Sequence, residues 1–259
     1  MRRVVFNQKG GVGKTSITCN LAAIGAAMGY KTLVIDLDVQ GNTTHYLVGE
    51  IDAEAFPAEA QGVAGLFKQT VGSRKMRQNP DSFVWDTPYE NLFLMPSSPV
   101  LSDMEKELES RYKIYKLRDA LEKLDDEYDR VYIDTPPNFN FYSKAALIAA
   151  DAVLIPFDCD SFARQSLYSL LDNIAELRED HNPDLEVEGI VINQFNSQAR
   201  LPSELVDELE EEGMPIFGSY LNTSVKMKES HRDHRPLIDL APSHKLTAQY
   251  LDLHAELEK

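Results

Sequence analysis

The sequence predicts an α/β fold, a doubly wound, mainly parallel sheet flanked by helices. Short runs of β-branched and aromatic residues recur along the chain, and helical stretches fall between them. The runs show little polar alternation, as strands do when helices cover both faces of a sheet.

Arg2 to Asn7 forms the first run. A glycine-rich loop follows, and then Thr15 to Met28 sets Ile17, Leu21, Ala22, Ile24 and Ala27 at the spacing of a buried helix, with Gly29 ending it. Lys31 to Asp36, reading KTLVID, is the second strand. Further strands are expected at Asn91 to Met95, Val131 to Asp134, Ala152 to Pro156 and Val187 to Asn193. Helices are expected at Tyr115 to Leu124, Ser161 to Glu179 and Leu205 to Glu212, and the acidic stretch Glu204 to Glu212 reads as a solvated helix face. From Glu50 to Pro88 the periodicity weakens and small, polar and proline residues accumulate. That segment is expected to be an irregular excursion, with Trp85 packing it onto one domain spanning residues 1–259.

A chain of 259 residues with 43% hydrophobic content can bury a substantial core. No stretch reaches the roughly 18 consecutive apolar residues of a membrane span. Met-Arg-Arg passes straight into Val4-Val5-Phe6, unlike a signal peptide. Cys19 and Cys159 are the only cysteines and give neither a disulfide framework nor a C-x-x-C ligand set, so a reducing, cytoplasmic setting is expected. Both read as inert, and the six histidines show no metal spacing; His231 and His234, among charges, read as surface residues. A net charge of −16 repels DNA and anionic lipid, so any polyanion must be held by a local basic patch.

Lys9 to Thr15 read K-G-G-V-G-K-T between a strand and a helix, the context that a phosphate-binding loop requires. Glycines let the backbone approach an anion, and the helix N-terminus adds partial positive charge. Lys14 would neutralise terminal phosphates and the Thr15 hydroxyl would ligate Mg²⁺. The expected ATP cradle is Lys9, Gly10, Gly11, Val12, Gly13, Lys14, Thr15 and Ser16. Asp36 and Asp38, at the end of the second strand, can hold a Mg²⁺ water or orient an attacking water. Asp134 ends another strand, before Thr135-Pro136-Pro137, and suits the acid that reaches Mg²⁺ through water. Asn193 could read an adenine edge with its amide or simply turn the chain.

K-G-G-V-G-K-T resembles the deviant phosphate loop of the ParA/MinD ATPases. The likeness continues in V-I-D-L-D-V-Q-G-N (Val34 to Asn42), V-Y-I-D-T-P-P (Val131 to Pro137), A-A-D-A-V-L-I-P (Ala149 to Pro156) and G-I-V-I-N (Gly189 to Asn193). The resemblance covers most of the chain apart from Glu50 to Pro88. It implies a P-loop NTPase fold, ATP and Mg²⁺ as cofactors, and slow hydrolysis without a partner. It makes Lys9 a ligand to the nucleotide of the other subunit in an ATP-dependent sandwich homodimer, and gives Asp38 the task of orienting water. The function it implies is positioning of a cargo (a plasmid, a chromosome region or a protein assembly). In that reading the dimer binds nucleoid DNA non-specifically and is released when a ParB-like or cargo-adaptor protein stimulates hydrolysis.

Two rivals make different demands. A MinD-like membrane-cycling ATPase ends in a basic amphipathic helix, whereas T-A-Q-Y-L-D-L-H-A-E-L-E-K is acidic, so no membrane partner is expected. A metabolic or redox P-loop ATPase holding an iron–sulfur cluster needs thiolates placed for it, and Cys19, inside the loop helix, is poorly placed. With a strand beginning at Arg2, no N-terminal helix-turn-helix repressor domain is expected. Lys226 to Arg235 read K-M-K-E-S-H-R-D-H-R, concentrating Lys226, Lys228, Arg232 and Arg235 in an otherwise acidic chain. The resemblance makes this stretch the DNA surface, with Arg200 extending it.

Overall fold

In chain order the computed structural model has β1 (Arg2–Val5), α1 (Lys14–Ala27), β2 (Thr32–Asp36), α2 (Asn42–Val48), α3 (Gly62–Lys68), β3 (Trp85–Asp86), β4 (Leu92–Met95), α4 (Leu101–Ser110) and α5 (Lys116–Leu121). There follow β5 (Arg130–Asp134), α6 (Phe141–Ala149), β6 (Ala152–Phe157), α7 (Ala163–His181), β7 (Glu186–Ile192), α8 (Arg200–Glu211), α9 (Val225–Arg232), α10 (Leu237–Leu240) and α11 (Lys245–Leu257). It describes residues 1–49, 61–69, 78–159, 163–196 and 200–259, without the side chains of 163, 200 and 201.

The strands form one sheet in the order β3-β4-β2-β5-β1-β6-β7, parallel except for β3. Their two-residue alternation divides the core. Val4, Leu33, Ile35, Ile133, Val153 and Ile155 face α4, α5, α6 and α7, while Val5, Val34, Tyr132 and Leu154 face α1, α2 and α11. Both faces are therefore dry, which is why the strands carry almost no polar alternation. In α1, Ile17, Leu21, Ala22 and Ile24 are buried as their spacing predicts, but Ala27 emerges into solvent as the last turn leaves the sheet.

The segment expected to be irregular holds more order than its composition indicates. Within it lie α3, a 3-10 turn at Pro80–Phe83 and β3, which runs antiparallel to β4 with Trp85 opposite Leu94. Residues 50–60 and 70–77 lie outside the described residues. The acidic helix α8 buries Val206 and Leu209 and exposes its carboxylates, as a solvated face does.

At the amino ends of the strands a charge network fastens α11. The Arg3 guanidinium, 3% exposed, donates to Glu188 at 2.9 Å, to Glu258 at 3.1 Å and to the Leu257 carbonyl at 2.7 Å. Arg130 also pairs with Glu258 and lies over the Tyr30 ring. The opposite, carboxyl ends of β1, β2, β5 and β7 are left to carry the functional side chains.

Candidate nucleotide site

Asn7 anchors the start of the loop: its side chain donates to the Pro156 carbonyl at 2.7 Å and accepts from the Lys9 amide at 2.9 Å. Gly11 and Gly13 take left-handed backbone conformations at φ 77° and 91°, which an L side chain disfavours. At Gly13 there is also no space, because a Cβ would lie 2.1 Å from the Asn193 side-chain nitrogen. Asn193 donates to the Val12 carbonyl at 2.8 Å, and Gln194, which the sequence reading missed, donates to the Gly11 carbonyl at 2.7 Å. Two amides at the end of β7 thus take up the Gly11 and Val12 carbonyls, and the N–H groups at a helix N-terminus suit an anion.

Lys14 opens α1, nearly buried, with its ammonium 3.1 Å from the Lys9 carbonyl. Burial lowers its pKa, and the nearby carboxylates of Asp134 and Asp38 oppose that shift. Thr15 donates to Asp134 at 2.7 Å, and Thr43, also missed in the sequence, donates to the same oxygen at 2.6 Å. Asp36 stands beside Asp134 in strand register. It accepts from the Thr44 amide and hydroxyl and, on its other oxygen, from the Asp38 amide. Its geometry is that of a brace for the turn carrying Asp38. Burial raises both the Asp36 and Asp134 carboxyls, each raised further by a neighbouring carboxylate and opposed by its threonine bonds.

Asp38 is nearly buried at the strand end, where its carboxylate accepts from the Gln40 amide at 3.0 Å and its carbonyl from Ser97 at 2.5 Å. Lys9 lies 3.8 Å from Asp158 at the end of β6. Among the described residues no group of three or more His, Cys, Asp or Glu could hold a metal on its own. A hydroxyl and a carboxylate in contact beside a phosphate loop do suit Mg²⁺, which keeps several waters and takes the rest of its shell from phosphates.

Beside the loop is a cavity of about 220 Å³, lined by Gly13, Ser16, Asn193, Met227, Lys228 and Tyr250 among others. The basic stretch forms α9 and the turn after it, and most of its charge is answered locally. Lys226 pairs with Glu229, Arg232 with Asp233 and Arg235 with Asp239, leaving Lys228 without a carboxylate partner among the described residues. Arg200 opens α8, and its side chain lies outside what is described. His231, expected at the surface, is instead half-buried and bonded to Ser16 at 2.8 Å. Cys19 is buried and Cys159 half-buried. No helix among the described residues is long and apolar enough to cross a membrane.

A strand, a glycine loop and a helix carrying Lys14 and Thr15, with an acid at the end of a neighbouring parallel strand, define a P-loop ATPase. Residues 3–187 match the family described as AAA domain. The chain is 32% identical over 258 residues to the chromosome partitioning protein ParA of Myxococcus xanthus, covering 98% of this chain and 87% of that one. It belongs to the ParA/Soj family of partition ATPases. In fold it matches apo McdA of Cyanothece with a TM-score of 0.85 at 24% identity, over 99% of this chain and 98% of that one. It also matches cobyrinic acid a,c-diamide synthase of Mycobacterium smegmatis, holding ADP and magnesium, with a TM-score of 0.81 at 24% identity, over 98% and 92% of the two chains.

Proposed function

We propose that the chain is a Mg²⁺-dependent, slow, cytoplasmic partition ATPase that closes into a homodimer on ATP. That dimer binds nucleoid DNA without sequence preference and positions a cargo until an adaptor protein stimulates hydrolysis. The observation that carries the reading is the cluster of Lys14, Thr15 and Asp134 at the mouth of a loop whose Gly11 and Val12 carbonyls are taken up by side-chain amides. Lys14 would meet the terminal phosphates, while Thr15 and, through water, Asp134 would hold Mg²⁺. When bound, Mg²⁺ would supply positive charge to offset the charge of the phosphates. Asp38 would orient the attacking water, a role that the bond fixing its carboxylate to the Gln40 amide supports. Lys9 would leave Asp158 to reach the partner's nucleotide. Met227, Leu246 and Tyr250 offer the cavity an apolar lining suited to the adenine ring, and Asn193 lines it too.

DNA binding is assigned to Lys226, Lys228, Arg232 and Arg235, with Arg200, on two subunits brought together by ATP. Exposed ion pairs such as Lys226–Glu229 are weak, so a phosphate can displace the carboxylate. A salt titration on two unrelated duplexes tests this. Binding should require ATP, and each lost phosphate contact should change the slope of log affinity against log salt by about 0.9. Lys226→Glu should therefore bind more weakly and with a flatter slope, equally on both sequences. Unchanged affinity and slope would remove Lys226 from the surface, and sequence-selective wild-type binding would contradict the mechanism.

A further inference from the structure

Helix α9 is fastened to the phosphate-loop helix through His231, Tyr46, Asn20 and Ser230, which none of these roles uses. His231 Nε2 lies 2.8 Å from the Ser16 hydroxyl, and its ring stacks on Tyr46 of α2 with centroids 4.5 Å apart and planes 10° apart. A second tie lies directly beneath. Asn20 of α1 donates to the Tyr46 hydroxyl at 3.1 Å; Tyr46 bonds the Ser230 hydroxyl; and Ser230 donates to the Arg235 carbonyl at 2.5 Å. Asn20 also accepts from the Leu237 amide at 2.8 Å, and His234 bonds the His45 carbonyl at 2.8 Å. Asn20, Tyr46 and Ser230 are buried, and a buried polar chain with every member satisfied is rigid.

Ser16 stands next to Thr15 in the first turn of α1 and lines the same cavity as Met227 and Lys228 of α9. Its hydroxyl carries one hydrogen. When a phosphate at the helix N-terminus accepts that hydrogen, the oxygen can only accept from His231, which fixes the imidazole with its proton on Nε2. A filled loop therefore selects one arrangement of the ring, where an open loop permits two.

We propose that His231 is a positioning residue which, through Ser16, transmits occupancy of the phosphate loop to helix α9. The proposal rests on the reading above that the loop takes ATP. Where α9 also meets DNA, the coupling must be reciprocal: nucleotide strengthens DNA binding by the factor by which DNA strengthens nucleotide binding.

Amide hydrogen exchange over residues 225–232, with and without saturating Mg·ATP, tests the relay without requiring DNA. Wild type, His231→Ala and Ser16→Ala are compared, with a fluorescent ATP analogue confirming that the loop is filled in each. ATP should slow exchange in wild-type α9 by about tenfold, the scale of ordinary site-to-site coupling, and both variants should lose most of that slowing. Ser16→Ala removes the same hydrogen bond from the loop side together with its contact to phosphate, so His231→Phe, which keeps a ring on Tyr46 and removes only the bond to Ser16, decides the matter if His231→Ala fails to fold. Equal slowing in all three proteins, or none in loaded wild type, would overturn the relay. Failure of wild type to bind the analogue would instead overturn the ATP reading, and the relay with it.

Discussion

Asp36 and Asp134 stand side by side in register on adjacent parallel strands, 0% and 1% exposed, and each is held by a different member of one threonine pair, Thr44 for Asp36 and Thr43 for Asp134. Two carboxylates enclosed this closely oppose each other's ionisation, and burial raises both pKa values, although Lys14 favours the charged form of Asp134. The sign of the pH dependence follows. A cation bound beside these raised carboxyls would favour their ionised forms, so binding Mg·ATP should release protons, and affinity should increase as pH rises from the ordinary carboxylate range of about 4 toward neutrality. Calorimetry in buffers of differing ionisation enthalpy measures the proton count directly; a count of zero would place the cation away from these acids.

The two loop lysines should separate by assay. Lys14→Ala should abolish tight ATP binding, because no other side chain supplies its charge between the phosphates. Lys9→Ala should retain nucleotide binding as a monomer and lose the ATP-dependent dimer in light scattering, and a normal dimer would end its assignment across the interface.

Removing the Asp38 carboxylate leaves the loop and its anchors in place. Asp38→Ala should bind ATP and hold it in a long-lived dimer, with hydrolysis lowered by about 10²-fold, the lower end of what a positioned acid–base group contributes. Wild-type turnover in single-round kinetics would mean that another group orients the water.

Gly13→Ala tests the loop's backbone. A left-handed alanine costs about 1–2 kcal/mol, and its methyl group would drive the Asn193 amide off the Val12 carbonyl. The variant should melt at lower temperature and bind ATP weakly, whereas Asn193→Ala alone should weaken ATP binding with a smaller loss of stability. Unaltered ATP affinity in both would show that the amide does not shape the loop.

At the other end of the sheet, Arg3→Met should destabilise the fold by about 3 kcal/mol, because it takes the cation from Glu188 and leaves Glu258 with Arg130 alone. Denaturant unfolding checks the magnitude. ATP binding should survive, since the network lies at the strand ends away from the loop.

The site was legible where chemistry follows chain order. Lys9 to Ser16 sit between a strand and a helix, and Asp134 ends an apolar run, so their placement needs only strand order. Thr43 could have been found, because it directly follows the V-I-D-L-D-V-Q-G-N run. Asn193 was noticed for its amide, but nothing local shows that the amide turns toward Val12 instead of outward. His231 was illegible for a related reason: it lies among charged neighbours and its partner Ser16 is 215 residues away. β3 escaped because two residues cannot display a period of two, and its pairing is decided by β4 alone.

The place of β1 in the sheet has a consequence for biosynthesis. It precedes the other strands of the sheet in chain order, yet it lies between β5 and β6, with Arg2 opposite Val131 and Arg3 opposite Ala152. At about 5–20 residues per second, synthesis reaches the end of β6 roughly eight to thirty seconds after β1 is made. Until then Val4, Val5 and Phe6 lack the neighbours that enclose them, and the phosphate loop has no floor. The nascent chain therefore carries this strand without both of its neighbours until β6 has been made, a window in which a chaperone that shields short hydrophobic segments would have most to do.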